Sequence, residues 1–216
     1  MSLQILLNGA KGRMGQAISS LAADKGCEIS AAVDMGDDPT AGIDSCDVVI
    51  DFSLHDATLS IATLAVSAQK PIVIGTTGHS AEDRESIAAL ASHAPMVWAG
   101  NFSTGVNLLF YLTGKTAEVL DADSDFDPEV VEMHHRHKQD APSGTAERLL
   151  DIIKESRGLS DADVAHGRQG LTGARPTAQV GSHSLRGGDV VGDHLVLFAG
   201  SGERLELTHR ATDRAI

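Results

Sequence analysis

The chain has 216 residues, and 17 Lys and Arg against 30 Asp and Glu give a net charge of −13. At roughly 150 residues per domain, this length allows one large domain or two small ones. So acidic a chain is poorly matched to a phosphate backbone, and an aromatic content of 3% leaves little for base stacking, so no nucleic acid is expected as a partner.

In chain order, the first half alternates strand and helix. Gln4–Asn8 is an apolar run ending at Gly9, and Arg13–Lys25 has helical spacing through Met14, Ile18, Leu21 and Ala22. Glu28–Asp34, Asp47–Ser53, Pro71–Thr77 and Met96–Ala99 read as strands, and Leu54–Gln69 and Ser80–His93 as helices. Ser80 is the expected N-cap, with Asp83 at the third helical position. This alternation predicts a parallel, doubly wound α/β sheet. The pattern then changes. Thr104–Leu120 reads as a long helix, Pro128–Lys138 as extended, and Gly144–Arg157 as a helix preceded by Ser143. Gly158–Ser182 has the composition of a loop, and Gln179–Arg186, Asp193–Phe198 and Glu203–His209 read as short strands. This half is expected to be α+β, with the boundary near Thr104. No apolar run approaches the roughly 20 residues of a membrane helix, so no membrane is expected as a partner. Only Cys27 and Cys46 are present, which excludes a disulfide scaffold or a Cys-rich zinc module and suits a reducing cytoplasm. A start with no basic region or cleavage site gives the same expectation.

Gly9, Ala10, Lys11, Gly12, Arg13, Met14 and Gly15 follow the first strand and open the first helix. Glycines there permit a tight turn and let the backbone approach a pyrophosphate, which the helix N-terminus attracts. Asp34 lies 19 residues past Gly15, at the end of the second strand. An acid there can bind a ribose 2′-hydroxyl and would repel a 2′-phosphate, and Met35 offers no basic side chain to hold one. NADH is therefore favoured over NADPH, or both are used. Three further segments fall at the carboxyl ends of strands, where open α/β sheets bind ligands. They are Asp51–Ser53, Gly75-Thr76-Thr77-Gly78 and Ala99-Gly100-Asn101-Phe102-Ser103.

The richest segment is Glu132–Ala146, with His134, His135, Arg136, His137 and Lys138 in a row. Such a cationic patch in an acidic chain needs anions nearby. In a regular strand His134, Arg136 and Lys138 share one face. Ser143-Gly144-Thr145 opens the next helix, whose free N–H groups can bind a carboxylate. Together these read as a pocket for a carboxylate substrate with a titratable acid, because histidine donates protons near neutrality. A metal shared by His135 and His137 is the rival reading, but no third ligand is evident and no metal is expected. Isolated His55, His79 and His93 read as surface residues. The Gly187-Gly188 and Gly200–Gly202 turns read as strand connections, with subunit contacts through those strands. A nucleotide-binding module without turnover, or another amino-acid or semialdehyde dehydrogenase, leaves the His134–Lys138 cluster unexplained.

From Gln4 to Arg214, the sequence resembles the 4-hydroxy-tetrahydrodipicolinate reductase (dihydrodipicolinate reductase) family of the diaminopimelate–lysine pathway. EMHHRHKQDAPSGTA at Glu132–Ala146 is the most specific part, and GAKGRMG, DFS, GTTG, NFSTGVN and GERLELTHRA occur in the expected order. The resemblance implies a Rossmann domain at 1–103 and a mixed-sheet substrate and oligomerisation domain at 104–213, closing about a hinge near Ser103–Thr104. A segment starting at 214–216 would return to the first domain. It also implies a homotetramer and reduction of a cyclic dicarboxylate by NADH or NADPH. Carried over, Gly9–Met14 hold the pyrophosphate, Asp34 the ribose, and Gly75–Thr77 and Ala99–Phe102 the nicotinamide end. His134 matches the proton donor, Lys138 a second acid and substrate contact, and His135, Gly144 and Thr145 the carboxylate contacts. His134 and His135 cannot both face one ligand from a regular strand, so a bulge or strand end is expected there.

Overall fold

The computed structural model of the chain describes residues 2–213. Two units divide it, one ending at Gly100 and the other beginning at Asn101. Asn101 and Phe102, expected with the nucleotide half, therefore belong to the second unit.

In the first unit, β1 (Leu3–Asn8), β2 (Cys27–Val33), β3 (Val48–Asp51), β4 (Ile72–Ile74) and β5 (Met96–Trp98) form a parallel sheet in the order β2-β1-β3-β4-β5. Helices α1 (Arg13–Ala22), α2 (Thr40–Ile43), α3 (His55–Ser67) and α4 (Ala81–Leu90) link successive strands. The strands are short apolar runs because such a sheet is covered on both faces. Leu6, Val49, Ile72 and Ile74 lie in its core against Ile61 and Ile87 of the helices. The order reverses between β1 and β3, so the loops after these strands diverge at their carboxyl ends and leave a crevice for a ligand. The first helix is shorter than expected: a 3₁₀ turn at Ala23–Lys25 and Gly26, at φ 72°, end it. At four residues, α2 is too short to show helical periodicity in sequence. Ser80 caps α4 by accepting from the Asp83 N–H, as expected.

In the second unit, β6 (Phe126–His134), β7 (Val164–His166), β8 (Val180–Arg186), β9 (Gly192–Gly200) and β10 (Arg204–Ala211) form a mixed sheet in the order β10-β9-β6-β8-β7. β6 runs antiparallel to β9 and parallel to β8. Helices α5 (Thr104–Val119) and α6 (Gly144–Arg157) cover one face, packing Leu109, Leu149 and Ile153 on Val130, Val180, Val196 and Phe198. The side chains of Ser103 and Ser143 cap the two helices. The segment read as a loop contains β7, three residues that carry no period of their own. It is also fastened down. Arg168 and Arg175 both pair with Glu129, at 2.8 and 3.1 Å, and His183 is a third partner at 2.8 Å. Burial raises the Glu129 pKa, but these donors outweigh it and bring the carboxyl down to about 2.

Among the described residues, no helix is long and apolar enough to cross a membrane. The returning segment expected from 214–216 lies outside the described residues.

Candidate active site

The glycine turn after β1 is built as a cradle. Gly9 has φ 83°, and a Cβ there would stand 2.3 Å from the Phe52 carbonyl oxygen. A Cβ on Gly15 would stand 2.2 Å from the Gly9 carbonyl oxygen. Only glycine allows the chain to fold this tightly onto itself. Gly12 is the N-cap of α1, with no side-chain cap and no acidic residue in the first turn. The helix end thus presents backbone donors and a partial positive charge to an anion. Asp34 closes the turn from the end of β2: its carboxylate accepts from the Lys11 N–H at 2.7 Å and the Met35 N–H at 2.9 Å. These two bonds, that to Lys11 first, hold its carboxyl below the usual range. Met35 is 85% exposed. Glycine turn, open helix end and strand-end acid fit a dinucleotide.

Beside it lies a polar network that motif reading did not find. Asp51 is fully buried at the end of β3. Its carboxylate accepts from the Asn8 amide at 2.8 Å, the Ser53 hydroxyl at 2.5 Å, and the Thr58 and Thr76 hydroxyls at 2.8 Å each. The Thr76 hydroxyl is committed to this carboxylate and also accepts from the Ser53 N–H at 3.0 Å. What Thr76 offers a ligand is its backbone. Gly75 has a packing reason: a Cβ there would lie 2.2 Å from the Phe52 ring. Thr77 is exposed, and its methyl lies 3.5 Å from where a Cβ of Gly100 would be. His79 departs from its expected surface position. It is 7% exposed and meets Trp98 edge-on, with centroids 5.3 Å apart. His55 and His93 are exposed as expected.

The second cluster stands at the end of β6. The strand stops at His134, so His134, Arg136 and Lys138 do not share a strand face. Residues 135–138 turn instead, closed by Lys138 N–H donating to the His135 carbonyl at 3.1 Å. This strand end resolves the conflict between His134 and His135. The His135 and His137 rings lie 6.3 Å apart.

His134 is buried, and its Nδ1 lies 2.5 Å from Oε2 of Glu132, which is 1% exposed. Two residues apart on one strand, they share a face. Arg186, at the end of β8, grips the same carboxylate with two bonds of 2.9 and 2.8 Å. The Ser143 N–H donates to Glu132 Oε1 at 3.3 Å. Burial raises the Glu132 pKa, and the hydrogen bonds from Arg186 and His134 reverse that to a net lowering. Burial lowers the His134 pKa, Glu132 raises it, and Lys138 and Arg186 lower it again, for a net lowering. His194 of β9 meets the His134 ring edge-on at 5.2 Å, and its Nε2 lies 3.2 Å from the Ser143 hydroxyl. Burial pushes His194 down to about 4. Glu132, Arg186 and His194 had not been assigned a role in the site, and Ser143 only as part of the helix opening. The usable signal was the two-residue spacing of Glu132 and His134. Arg186 and His194 are remote in sequence and meet β6 through strand pairing alone.

Lys138 pairs with Asp140 at 2.8 Å. Gly144 has open space where a Cβ would be, at the first position of α6. The next residue, Thr145, receives a bond from the Asn101 amide at 3.3 Å. The expected nicotinamide contact Asn101 and the expected carboxylate contact Thr145 are therefore neighbours within the second unit. Among the described residues, no group of three or more His, Cys, Asp or Glu is placed to hold a metal.

Residues 3–102 match the family model for the dihydrodipicolinate reductase N-terminus, and residues 105–216 that for its C-terminus. The chain is 49% identical over 215 residues to a 4-hydroxy-tetrahydrodipicolinate reductase of Akkermansia muciniphila, covering 98% of this chain and 86% of the relative. It is 44% identical to that of Ruegeria pomeroyi over 98% of this chain and 87% of the relative. A solved structure of dipicolinate-bound dihydrodipicolinate reductase from Paenisporosarcina sp. TG-14 superposes with a TM-score of 0.79 at 25% identity, over 99% of this chain and 89% of that one. The chain belongs to the dihydrodipicolinate reductase family.

Proposed function

We propose that the chain reduces 4-hydroxy-tetrahydrodipicolinate to tetrahydrodipicolinate with NAD(P)H, a step of diaminopimelate and lysine biosynthesis. The observation that carries this reading is the end of β6. A buried imidazole is tied to a carboxylate, within the field of Lys138, in a chain whose two halves both match the family. In the reaction the 4-hydroxyl leaves as water, a hydride adds to one ring carbon and a proton to its neighbour. Bound at Gly9–Met14, Asp34, Gly75–Thr77 and Ala99–Phe102, the nicotinamide cofactor supplies the hydride.

His134 holds the proton and delivers it from Nε2, since Nδ1 faces Glu132. Lys138 leaves Asp140 for a substrate carboxylate and serves as a second acid. His135, Gly144 and Thr145 hold a carboxylate with the N–H groups opening α6. Burial holds the His134 proton loosely, and an incoming dianion strengthens that hold until transfer. The relative from Paenisporosarcina has dipicolinate bound, a ring with two carboxylates, which supports this substrate class. Asp34 followed by exposed Met35 supports NADH over NADPH, or dual use.

The sheet face opposite α5 and α6 carries Val131, Met133, Leu195, Leu197 and the half-exposed Leu185, which supports assembly of copies through it, as a homotetramer. The two free cysteines suit a cytoplasmic setting. The test is loss of NAD(P)H absorbance with freshly made cyclic substrate. No loss above the substrate-free rate overturns the reading.

A further inference from the structure

We propose that the buried Glu132–Arg186 pair positions the acid of this reaction, fixing the His134 ring and the turn that follows it in one arrangement. The proposal rests on the reading of His134 as proton donor and adds to it two residues that touch no substrate.

Glu132 joins three parts of the second unit. Its Oε2 accepts from His134 on its own strand and from Arg186 on β8, and its Oε1 accepts from Arg186 and from the Ser143 N–H ahead of α6. Arg186 also donates to the Asp140 carbonyl at 2.7 Å. The pair therefore holds both sides of the segment that carries His135, Lys138, Gly144 and Thr145. A carboxylate 1% exposed is not needed for packing, since apolar residues of equal volume stabilise a core as well as a buried ion pair. A charge kept there indicates a task.

The task is legible in the ring's two nitrogens. With Nδ1 bound to a carboxylate, the neutral ring carries its hydrogen on Nδ1 and exchanges protons at Nε2. Nε2 looks toward Gly192, where a Cβ would come within 3.0 Å. The other groups around the ring work against a proton. Lys138 from the turn and Arg186 from β8 are cations, and His194 from β9 packs edge-on. Glu132 supplies the negative charge that lets the ring hold a proton at all.

Glu132→Gln keeps the volume and removes the charge. In steady-state assays it should lower kcat about 10–100-fold, the scale of losing a residue that orients a histidine, with substrate KM changed less than about threefold. The basic limb of the kcat–pH profile should move to lower pH by about one unit, because the imidazolium loses its counter-ion. Glu132→Asp should recover part of kcat and return the limb. Histidine ¹⁵N NMR gives a readout independent of turnover. Wild-type His134 should show one tautomer with hydrogen on Nδ1, and both Glu132→Gln and Arg186→Lys should show a mixture. An unmoved tautomer ratio, or a kcat loss equal at every pH, overturns the proposal. A wild-type enzyme with the expected NMR signature but no turnover would instead overturn the functional reading and leave the positioning intact.

Discussion

Gly192 leaves its Cβ position empty 3.0 Å from His134 Nε2, across the β6–β9 pairing. That nitrogen is the one left to exchange a proton once Nδ1 is held by Glu132. Gly192→Ala should therefore lower kcat by about 100-fold, the cost of displacing a reacting group by an ångström. The secondary structure should survive, because φ at Gly192 is not positive. Steady-state kinetics with circular dichroism as the control check this; wild-type kcat would show that Nε2 acts from elsewhere.

His134→Ala and Lys138→Ala should each lower kcat by about 10²–10⁴-fold, the contribution of a positioned acid. Nucleotide affinity, measured by fluorescence titration, should stay within about twofold. Near-wild-type turnover in both variants would remove the acid assignment.

Stability should fall with pH through the histidines before the carboxylates. His194 is 4% exposed, and its folded value of about 4 lies below its ordinary 6.5. As pH drops through 6.5 the unfolded chain takes up this proton and the folded chain does not, so stability falls until about pH 4. At 1.36 kcal/mol per pH unit, His194 accounts for about 3 kcal/mol at most. Urea unfolding at several pH values should show this slope above about pH 5.5, where carboxyls with an ordinary value of 4.5 stay ionised in the folded and unfolded chains alike and take up no protons. His194→Gln should flatten it. An equal slope in that variant would mean other groups carry it.

In the glycine cradle, Gly12→Val should weaken nucleotide binding more than substrate binding. A Cβ at Gly12 already meets the Gly9 carbonyl oxygen at 3.2 Å, and a branched side chain extends from there over the helix end. Asp34→Ser should raise kcat/KM for NADPH relative to NADH by about tenfold, because a charge repelling the 2′-phosphate is gone. A strong NADPH preference in the wild type would refute the NADH assignment. Unchanged nucleotide affinity in Gly12→Val would refute the cradle's role.

What the sequence disclosed follows from how local each signal is. The apolar runs at β1 and β3, the Ser80 cap, the start of α6 after Ser143 and the turn at Gly9–Gly15 depend on neighbours within a few residues, and they stand where they were expected. β7 and α2 are too short to show a period. The end of β6 at His134 is set by tertiary bonds: Arg136 N–H donates to the Gly188 carbonyl and Gly187 N–H to the His134 carbonyl. Glu132 reads as one more charge in a polar strand until β8 brings Arg186 beside it. His79 looked like a surface residue because burial against Trp98 requires the chain to return at β5.

Asp51 gathers hydrogen bonds from Asn8 on β1, Ser53 after β3, Thr58 on α3 and Thr76 after β4. Strand tips are where a sheet ordinarily frays, yet here three of them are laced to one anion. The Phe52 and Gly75 amide hydrogens, which donate to the Asn8 and Asp51 carbonyls at these tips, should thus exchange with deuterium as slowly as those at mid-strand, even with no nucleotide present. The crevice rim is stiffened in advance, so little ordering entropy is left for a ligand to spend on arrival.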